Sequence, residues 1–548
     1  MTNDLLNPKL AEDYRSRGWW GERTLWDDVA GNVARHPDKV AIVGHHAGAP
    51  TEVLSYGHLA RYANRFAGAL LELGVAPGEV VSFQLPNWWQ VAALHLACVR
   101  IGAVANPIIT ILRRREVGFI LNRVGARVCI VPDMFRDFEH AAMVAGLRPE
   151  LPRLEHVFVI GDGRPPGTES FEAFFCDTRW EEKHPELDAL HPSADAPAQI
   201  MFTSGTTGEP KGVLHTHNTM DTGLRAVSEP LGLGADDVVL MFSPLGHQTG
   251  YLYGMCMPLR YGMKLVLQDM WDPGVMLRLV GDERVTWTMG TTTFVLDVCA
   301  AVEKHPDADL SSLRYFTCGG APIPPKAVTE ARARLGTQLV AVWGMTEIGV
   351  CTTTLPTDTD ERVCSSDGVP SPWVDLRIAD ADGNELPTGT EGRLLVRTPS
   401  QHLTYFGRHD LFEECFPMGV DVRWFDTGDL ARTDADGYIR ITGRSKDLII
   451  RGGENIPVAE VEGAVVSHPK VHEAAIVAYP DERLGERVCA VVVPVGENAP
   501  TLDELRAHLD GLGMSKHFWP ERLEVRIAMP KTASGKTQKL VLREELAT

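Results

Sequence analysis

Met201-Phe-Thr-Ser-Gly-Thr-Thr-Gly-Glu-Pro-Lys-Gly212 places three glycines, four hydroxyl side chains and a lysine in one stretch directly after an apolar run. Such a composition suits a loop that grips a polyphosphate. Gly205, Gly208 and Gly212 permit positive φ and close backbone approach, so successive N–H groups can converge on anionic oxygens. Thr203, Ser204, Thr206 and Thr207 add short donors, and Lys211 adds a mobile positive charge. A P-loop would need G-x-x-x-x-G-K-[ST] at the opening of a helix. Here Pro210 stands before the lysine and disfavours a helical Glu209. The stretch predicts a phosphate loop of another kind; taken alone, a flexible surface turn is its alternative.

Outward from this loop, short Val/Ile/Leu runs alternate with helical patterns, the signature of an α/β fold with parallel-type sheets. Strands are predicted at 80–85, 127–131, 156–160, 238–242, 264–267, 286–289 and 339–343. Helices are predicted within 51–75 and at 90–101, each closed by a glycine. From about 363 to 443 the texture changes to short strands and Asp/Gly turns, which predicts a small all-β, barrel-like subdomain. The last hundred or so residues read as a compact α+β unit, with helices at 458–466 and 502–509 and strands at 474–478 and 488–493. The predicted division is a large domain over 1–445 and a small one over 446–548.

At 548 residues the chain exceeds one ordinary hydrophobic core. Its formal charge of −20 argues against nucleic acid as the main partner. Any nucleotide it binds needs a local positive field. Ten cysteines without a C-x-x-C pair suit reduced thiols better than a disulfide framework or a zinc site. There is no signal-peptide pattern and no apolar run of about 18 residues, so a cytoplasmic protein without integral membrane contact is expected. Arg113-Arg-Arg115, Trp19-Trp20 and Trp88-Trp89 read as a solvated helix start and ordinary packing.

Further motifs follow in order: Trp343-Gly-Met-Thr-Glu347, Asp426-Thr-Gly-Asp429, Gly443-Arg-Ser-Lys-Asp-Leu-Ile-Ile450, Arg451-Gly-Gly-Glu-Asn-Ile-Pro457 and Pro530-Lys-Thr-Ala-Ser-Gly-Lys536. Glu347, after an apolar strand, is a hard oxygen donor suited to Mg²⁺, or else a carboxylate at a helix start. Asp429 in a turn suits vicinal ribose hydroxyls, or is simply a turn residue. Gly319-Gly320-Ala321-Pro322 offers a flat approach for a purine.

With the loop, this ordered set resembles the acyl-adenylating superfamily of acyl-CoA synthetases, peptide-synthetase adenylation domains and beetle luciferases, from about Thr51 to the C-terminus. The resemblance implies ATP, Mg²⁺ and CoA as cofactor and co-substrates, a small carboxylic acid as substrate, and a reaction through an acyl-adenylate. By resemblance Lys536 is the catalytic lysine, Glu347 the Mg²⁺ ligand, and Thr346 the contact to the α-phosphate. Trp343, beside Gly344, stands where the family usually stacks a tyrosine on adenine, with Gly320, Ala321 and Pro322 nearby. Asp429, assisted by Arg444, takes the ribose. Lys446 is the hinge, and Arg451, Gly452, Gly453 and Glu454 line the CoA channel.

His247, in Pro244-Leu-Gly-His-Gln-Thr-Gly250, corresponds to the residue bordering the acyl carboxylate, although a lone histidine is more often structural. Thr249, Gly250, Tyr253, Met289 and Phe294 form the expected acyl pocket, uncharged and lacking the aspartate that would pair an amino acid. His215 and His217 follow the loop in the family and are not read as a metal pair. The start of the chain and the G-H-Q-T-G segment further resemble cyclohexanecarboxylate and medium-chain acyl-CoA ligases. The expected activity is therefore an AMP-forming carboxylate–CoA ligase, monomeric or homodimeric, acting on a medium-chain, alicyclic or aryl monocarboxylate. Its alternatives are a stand-alone adenylating enzyme loading a carrier protein and a non-catalytic nucleotide-binding regulator.

Overall fold

The computed structural model describes residues 6–203, 209–320, 323–444, 449–451, 454–456, 458–481, 485–512, 514, 516–532 and 535–546. Two large sheets carry the predicted strands. In the first, the order is Thr404–Tyr405, Lys211–Thr216, Pro197–Thr203, Val104–Pro107, Val80–Phe83, Val128–Pro132, His156–Ile160 and Glu169–Ser170. Its five strands from Val104–Pro107 to Glu169–Ser170 run parallel, whereas Lys211–Thr216 returns antiparallel beside Pro197–Thr203. The strands on either side of the phosphate loop therefore pair antiparallel, with Thr203 opposite Lys211, and Lys211 begins a strand where a P-loop lysine would open a helix.

The second sheet has a parallel centre made of Gln338–Met345, Tyr315–Gly319, Trp287–Gly290, Val238–Met241, Lys264–Gln268 and Val40–His45. Antiparallel strands close both edges. Apolar runs such as Val-Cys-Ile-Val-Pro at 128–132 are buried throughout, as strands covered on both faces must be. The helix Trp89–Ile101 is buried at every position except Gln90 and ends on Gly102 at φ 71°, the left-handed cap that glycine adopts without strain. Phe66, Phe83, Leu94 and Trp287 share one core, so the two sheets and their helices form a single packed body. Trp20 and Trp88 belong to that framework: their indole N–H groups donate to the Pro399 carbonyl and to Asp269.

Residues 363–443 are less uniform than their composition suggests. Asp375–Ala379, Gly392–Arg397, Phe425–Thr433 and Ile439–Arg444 form a four-stranded antiparallel sheet. Val369–Pro370 and Thr404–Tyr405, however, pair into the two large sheets, and His409–Glu413 is helical. Short polar strands at a sheet edge look alike in sequence whichever sheet receives them.

The last unit is a five-stranded sheet built on Val471–Asp481 and Gly485–Pro494, with Arg522–Val525 alongside in parallel. Val458–Val466 and Leu502–Gly511 pack on it around Val461, Val488 and Leu505. Thr501 and Glu504 cap the second helix reciprocally. All ten cysteines are free thiols. No helix among the described residues is long and apolar enough to cross a membrane.

One contact locks the turn that carries Thr346 and Glu347. The strands Gln338–Met345 and Gly349–Thr353 close together with a register shift after Trp343. A Cβ on Gly344 would collide with the Gly349 carbonyl oxygen and lie 2.6 Å from the Val350 Cα. Both obstacles are backbone and cannot turn aside. Gly344→Ala is expected to lower the unfolding free energy by about 1–3 kcal/mol, read as a fall in the urea midpoint; an unchanged midpoint would show that this hairpin is not closely packed.

Candidate active site

The site lies where the carboxyl ends of strands from both sheets converge, the place where open α/β sheets bind ligands. Pro197–Thr203, Tyr315–Gly319 and Gln338–Met345 all point into it. Ser204, Gly205, Thr206, Thr207, Gly208, Ala321, Pro322, Lys446, Gly452 and Gly453 lie outside the described residues.

A histidine ties the two sheets together at this point. His215, on the strand after the loop, has its Nε2 2.7 Å from the Thr346 carbonyl oxygen and its Nδ1 3.0 Å from the Thr219 hydroxyl. The carbonyl can only accept, so Nε2 carries the proton and Nδ1 accepts from Thr219. Both nitrogens are committed, which leaves neither for a metal. Burial pushes the imidazole down to about 4, so this strut is neutral.

Glu347 is 8% exposed. Burial pushes its carboxyl above the usual range, against its own backbone hydrogen bond, the Tyr405 hydroxyl, and the charges of Lys211 and Arg444. Tyr405 donates to Oε1 at 3.0 Å, and the Lys211 ammonium stands 4.7 Å from the centre of the same tyrosine ring. The backbone N–H of His402 donates to the Glu347 carbonyl at 2.7 Å. Thus His402 holds the Glu347 backbone and Tyr405 its carboxylate. Glu347 is a hard oxygen donor, and no cluster of three or more His, Cys, Asp or Glu side chains that could hold a metal ion occurs among the described residues. That donor set fits Mg²⁺ completed by phosphate oxygens and water, and does not fit a cage built by the protein alone.

Asp429, 5% exposed, faces Arg444 across two antiparallel strands. Its Oδ1 accepts from Arg444 Nε at 3.0 Å and its Oδ2 from the Trp343 indole N–H at 2.9 Å.

Lys536 reaches this cluster from the C-terminal unit. Its Cε lies 3.7 Å from where a Cβ of Gly320 would stand, and Gly320 holds φ +79°. The residue keeps solvent-accessible surface while its ammonium end is crowded by protein groups. Lost hydration and then Arg444 lower its pKa, while Asp429 and Glu347 raise it. His247 feels the same lysine: burial first, and Lys536 second, push it down to about 4. Its Nδ1 accepts the Thr249 N–H at 3.3 Å, which leaves a neutral imidazole with its proton on Nε2.

The expected acyl-pocket residues are placed unevenly. Thr249, Gly250 and Tyr253 lie on a π-helix, Thr249–Cys256, a wide-turn geometry often found at functional sites. The Tyr253 hydroxyl accepts the Val350 N–H at 2.6 Å, so it braces the second sheet instead of standing free. Met289 is buried, and Phe294 packs against Phe242 and Trp271 with ring centres 4.8 and 4.7 Å apart. Arg451 pairs with Glu521 at 2.6 Å, and its strand partner across the hairpin is Glu454. Tyr405, His402, Phe242 and Trp271 are not singled out by the sequence, and His215 is named there only as following the loop, since nothing local marks a contact made across the fold.

The chain matches the model of the AMP-binding enzyme family over residues 29–406 and that of the AMP-binding enzyme C-terminal domain over residues 460–536. It is 36% identical over 542 residues to the medium-chain fatty-acid–CoA ligase of Escherichia coli (strain K12), covering 99% of this chain and 94% of that protein. It is 34% identical over 543 residues to the salicyl-AMP ligase / salicyl-S-ArCP synthetase of Mycobacterium tuberculosis, with 98% and 93% covered. Among solved structures, the anthranilate CoA ligase AuaEII in complex with anthranoyl-AMP superposes with a TM-score of 0.86 at 26% identity, covering 96% of this chain and 98% of that one.

The neutral imidazoles give the protein a characteristic acid response. Burial holds His140, His215, His217 and His247 at about 4 and His95 at about 3, against about 6.5 in an unfolded chain. Between pH 6.5 and 4 the unfolded state therefore binds more protons, and stability falls as pH falls, by about 1.4 kcal/mol per unit for each proton not taken up. Asp221, pushed up to about 6 by burial, Glu347, also raised by burial, and His46, held up at about 9 against burial by Asp269 and Glu52, work in the opposite sense but are outnumbered by the five lowered histidines. Urea midpoints are expected to drop markedly from pH 7 to pH 5; a midpoint that rises would mean these rings are not buried as neutral groups.

Proposed function

This chain belongs to the AMP-binding enzyme family as an AMP-forming acyl-CoA ligase family enzyme, and we propose that it joins a compact apolar monocarboxylate to CoA through an acyl-adenylate. The observation that carries this reading is the placement of the Lys536 side chain beside Gly320, within the field of Glu347 and Asp429. Adenylation brings a carboxylate against the α-phosphate of ATP, so two anions must come within bonding distance. An ammonium held between them lowers that repulsion and stabilises the transition state.

The remaining residues fall into roles around that step. Thr203, the loop 204–208 and Lys211 grip the distal phosphates. Trp343 and residues 320–322 receive adenine, and Asp429 with Arg444 takes the ribose. Glu347 would hold Mg²⁺ beside Thr346; bound there, the ion neutralises phosphate charge. In the first half-reaction a substrate carboxylate oxygen bonds to the α-phosphorus as the bond to the β-phosphate oxygen breaks, giving acyl-AMP and pyrophosphate. In the second, the CoA sulfur bonds to the acyl carbon, AMP leaves, and the thiol proton passes to solvent. A pivot at Lys446 would withdraw Lys536 between the two steps and bring the Arg451 to Glu454 hairpin inward. His247, neutral and donating from Nε2, can accompany the acyl carboxylate without competing as a charge.

For the acid, Met289, Phe294, Phe242 and Trp271 offer apolar surface without a cation. A second carboxylate there would be buried unpaired, at a cost of several kcal/mol. A chain or ring of about six to eight carbons is the size we assign, with gentle selectivity, since a methylene in an apolar pocket is worth about 1–3 kcal/mol. The similarity to a salicyl-AMP ligase that is also a salicyl-S-ArCP synthetase makes a carrier-protein thiol the rival acceptor.

Lys536→Ala is expected to slow acyl-AMP formation by about 10²-fold to 10³-fold while thioester formation from supplied acyl-AMP persists. Equal loss in both half-reactions, with the protein folded, would refute the assignment. Across acetate, hexanoate, cyclohexanecarboxylate, benzoate, succinate and palmitate, kcat/KM with CoA should peak at hexanoate or cyclohexanecarboxylate and be near background for succinate. A best substrate with two carboxylates, or AMP release that needs a carrier protein in place of CoA, would overturn the pocket or the acceptor respectively.

A further inference from the structure

Trp343 makes a contact that its expected place under adenine does not require. Its indole N–H reaches the Asp429 Oδ2 at 2.9 Å, a hydrogen bond between buried groups 86 residues apart. Trp343 stands near the end of the strand Gln338–Met345 in the nine-stranded sheet, and Asp429 on Phe425–Thr433 in the four-stranded sheet. The bond therefore fixes the ribose-side carboxylate to the adenine-side wall.

The two anchors of Asp429 are unequal. Arg444 holds Oδ1 through a side chain that is 47% exposed, on a long stem with many rotamers. Trp343 is 8% exposed and has only two side-chain torsions, so its donor is fixed wherever its ring is packed. A carboxylate oxygen has two lone-pair sites. With one on each oxygen taken from the protein side, one on each remains for a ligand. Two free sites on one planar carboxylate match two vicinal hydroxyls.

We propose that Trp343 is a positioning residue for ribose recognition: its indole N–H orients Asp429 so that the free lone pairs meet the ribose 2′- and 3′-hydroxyls of ATP. One side chain would then couple base stacking to sugar recognition. A tyrosine, the usual residue at this place in the family the sequence resembles, carries no indole N–H and could not make this bond. The proposal rests on the reading of Asp429 as the ribose residue.

The test separates stacking from positioning. Trp343→Phe keeps a flat aromatic face and loses the N–H. A loss of stacking weakens ATP and 2′-deoxy-ATP alike, so their ratio stays put. A loss of Asp429 alignment weakens ATP, which has two hydroxyl contacts to lose, more than 2′-deoxy-ATP, which keeps only the 3′-hydroxyl, so the ratio falls. We expect the ratio of 2′-deoxy-ATP to ATP in KM for adenylation, and of 2′-deoxy-AMP to AMP in Kd by calorimetry, to fall about tenfold in Trp343→Phe, the scale of one charge-assisted hydrogen bond. In an Asp429→Ala background the same substitution should leave the ratio unchanged, because there is no longer a carboxylate to orient. If Trp343→Phe does not fold, Trp343→Tyr carries the same comparison. A ratio equal to that of the unaltered protein, with nucleotide still bound, overturns the proposal. Failure of the unaltered protein to bind AMP, or to prefer it over 2′-deoxy-AMP, overturns the ribose reading beneath it.

Discussion

Two carboxylates taken out of water govern the arrangement of this cleft. Glu347 and Asp429 are both nearly inaccessible, and a buried carboxylate is tolerable only when donors replace its hydration. The chain supplies them from distant places: Tyr405 to Glu347, and Trp343 and Arg444 to Asp429. Each donor binds one element to another, so satisfying the charges also assembles the sheets. The Tyr405 strand is held against Lys211–Thr216, and the Asp429 strand against the wall that carries Trp343.

A cleft with two carboxylates is a poor host for a polyphosphate unless cations outweigh them locally, the more so in a chain of net charge −20. Lys211, Arg444 and Lys536 provide that field, each acting on Glu347, on Asp429 or on both. Two of the three are on the large body of the fold, and the third comes from the C-terminal unit. With Lys536 at Gly320, the C-terminal unit contributes to the charge of the cleft as well as to its shape.

Much of this was legible in the chain because it is local. The helix Val458–Val466 runs over the residues its periodicity predicts, and the loop lysine, which Pro210 set apart from a P-loop, does not open a helix. The motifs name Lys211, Glu347, Asp429 and Lys536 because their chemistry is carried by residue type and order. What the sequence does not carry is pairing at long range. Tyr405 meets Glu347 across 58 residues and His215 meets Thr346 across 131, and neither lies in a stretch whose composition is unusual. The strand Thr404–Tyr405 was absorbed into a predicted β subdomain for the same reason: a two-residue strand is assigned by its neighbour and not by its own residues. The π-helix at Thr249–Cys256 likewise reads as an ordinary apolar segment, since its wider turn follows from packing.

The buried histidines complete the electrostatic argument. A protonated imidazole at His215 or His247 would add positive charge to the cleft, yet burial keeps both neutral through the physiological range. Their work is geometric: His215 fixes the Thr346 carbonyl through Nε2, and His247 is held in one tautomer by the Thr249 N–H. The positive field is left to lysine and arginine, whose charges sit on side chains long enough to follow a reacting phosphate. Rigid neutral donors set the frame, and mobile cations answer the charge that develops within it. Trp343 belongs with the rigid group, which is why its bond to Asp429 bears on how the nucleotide is recognised and not only on how the wall is packed.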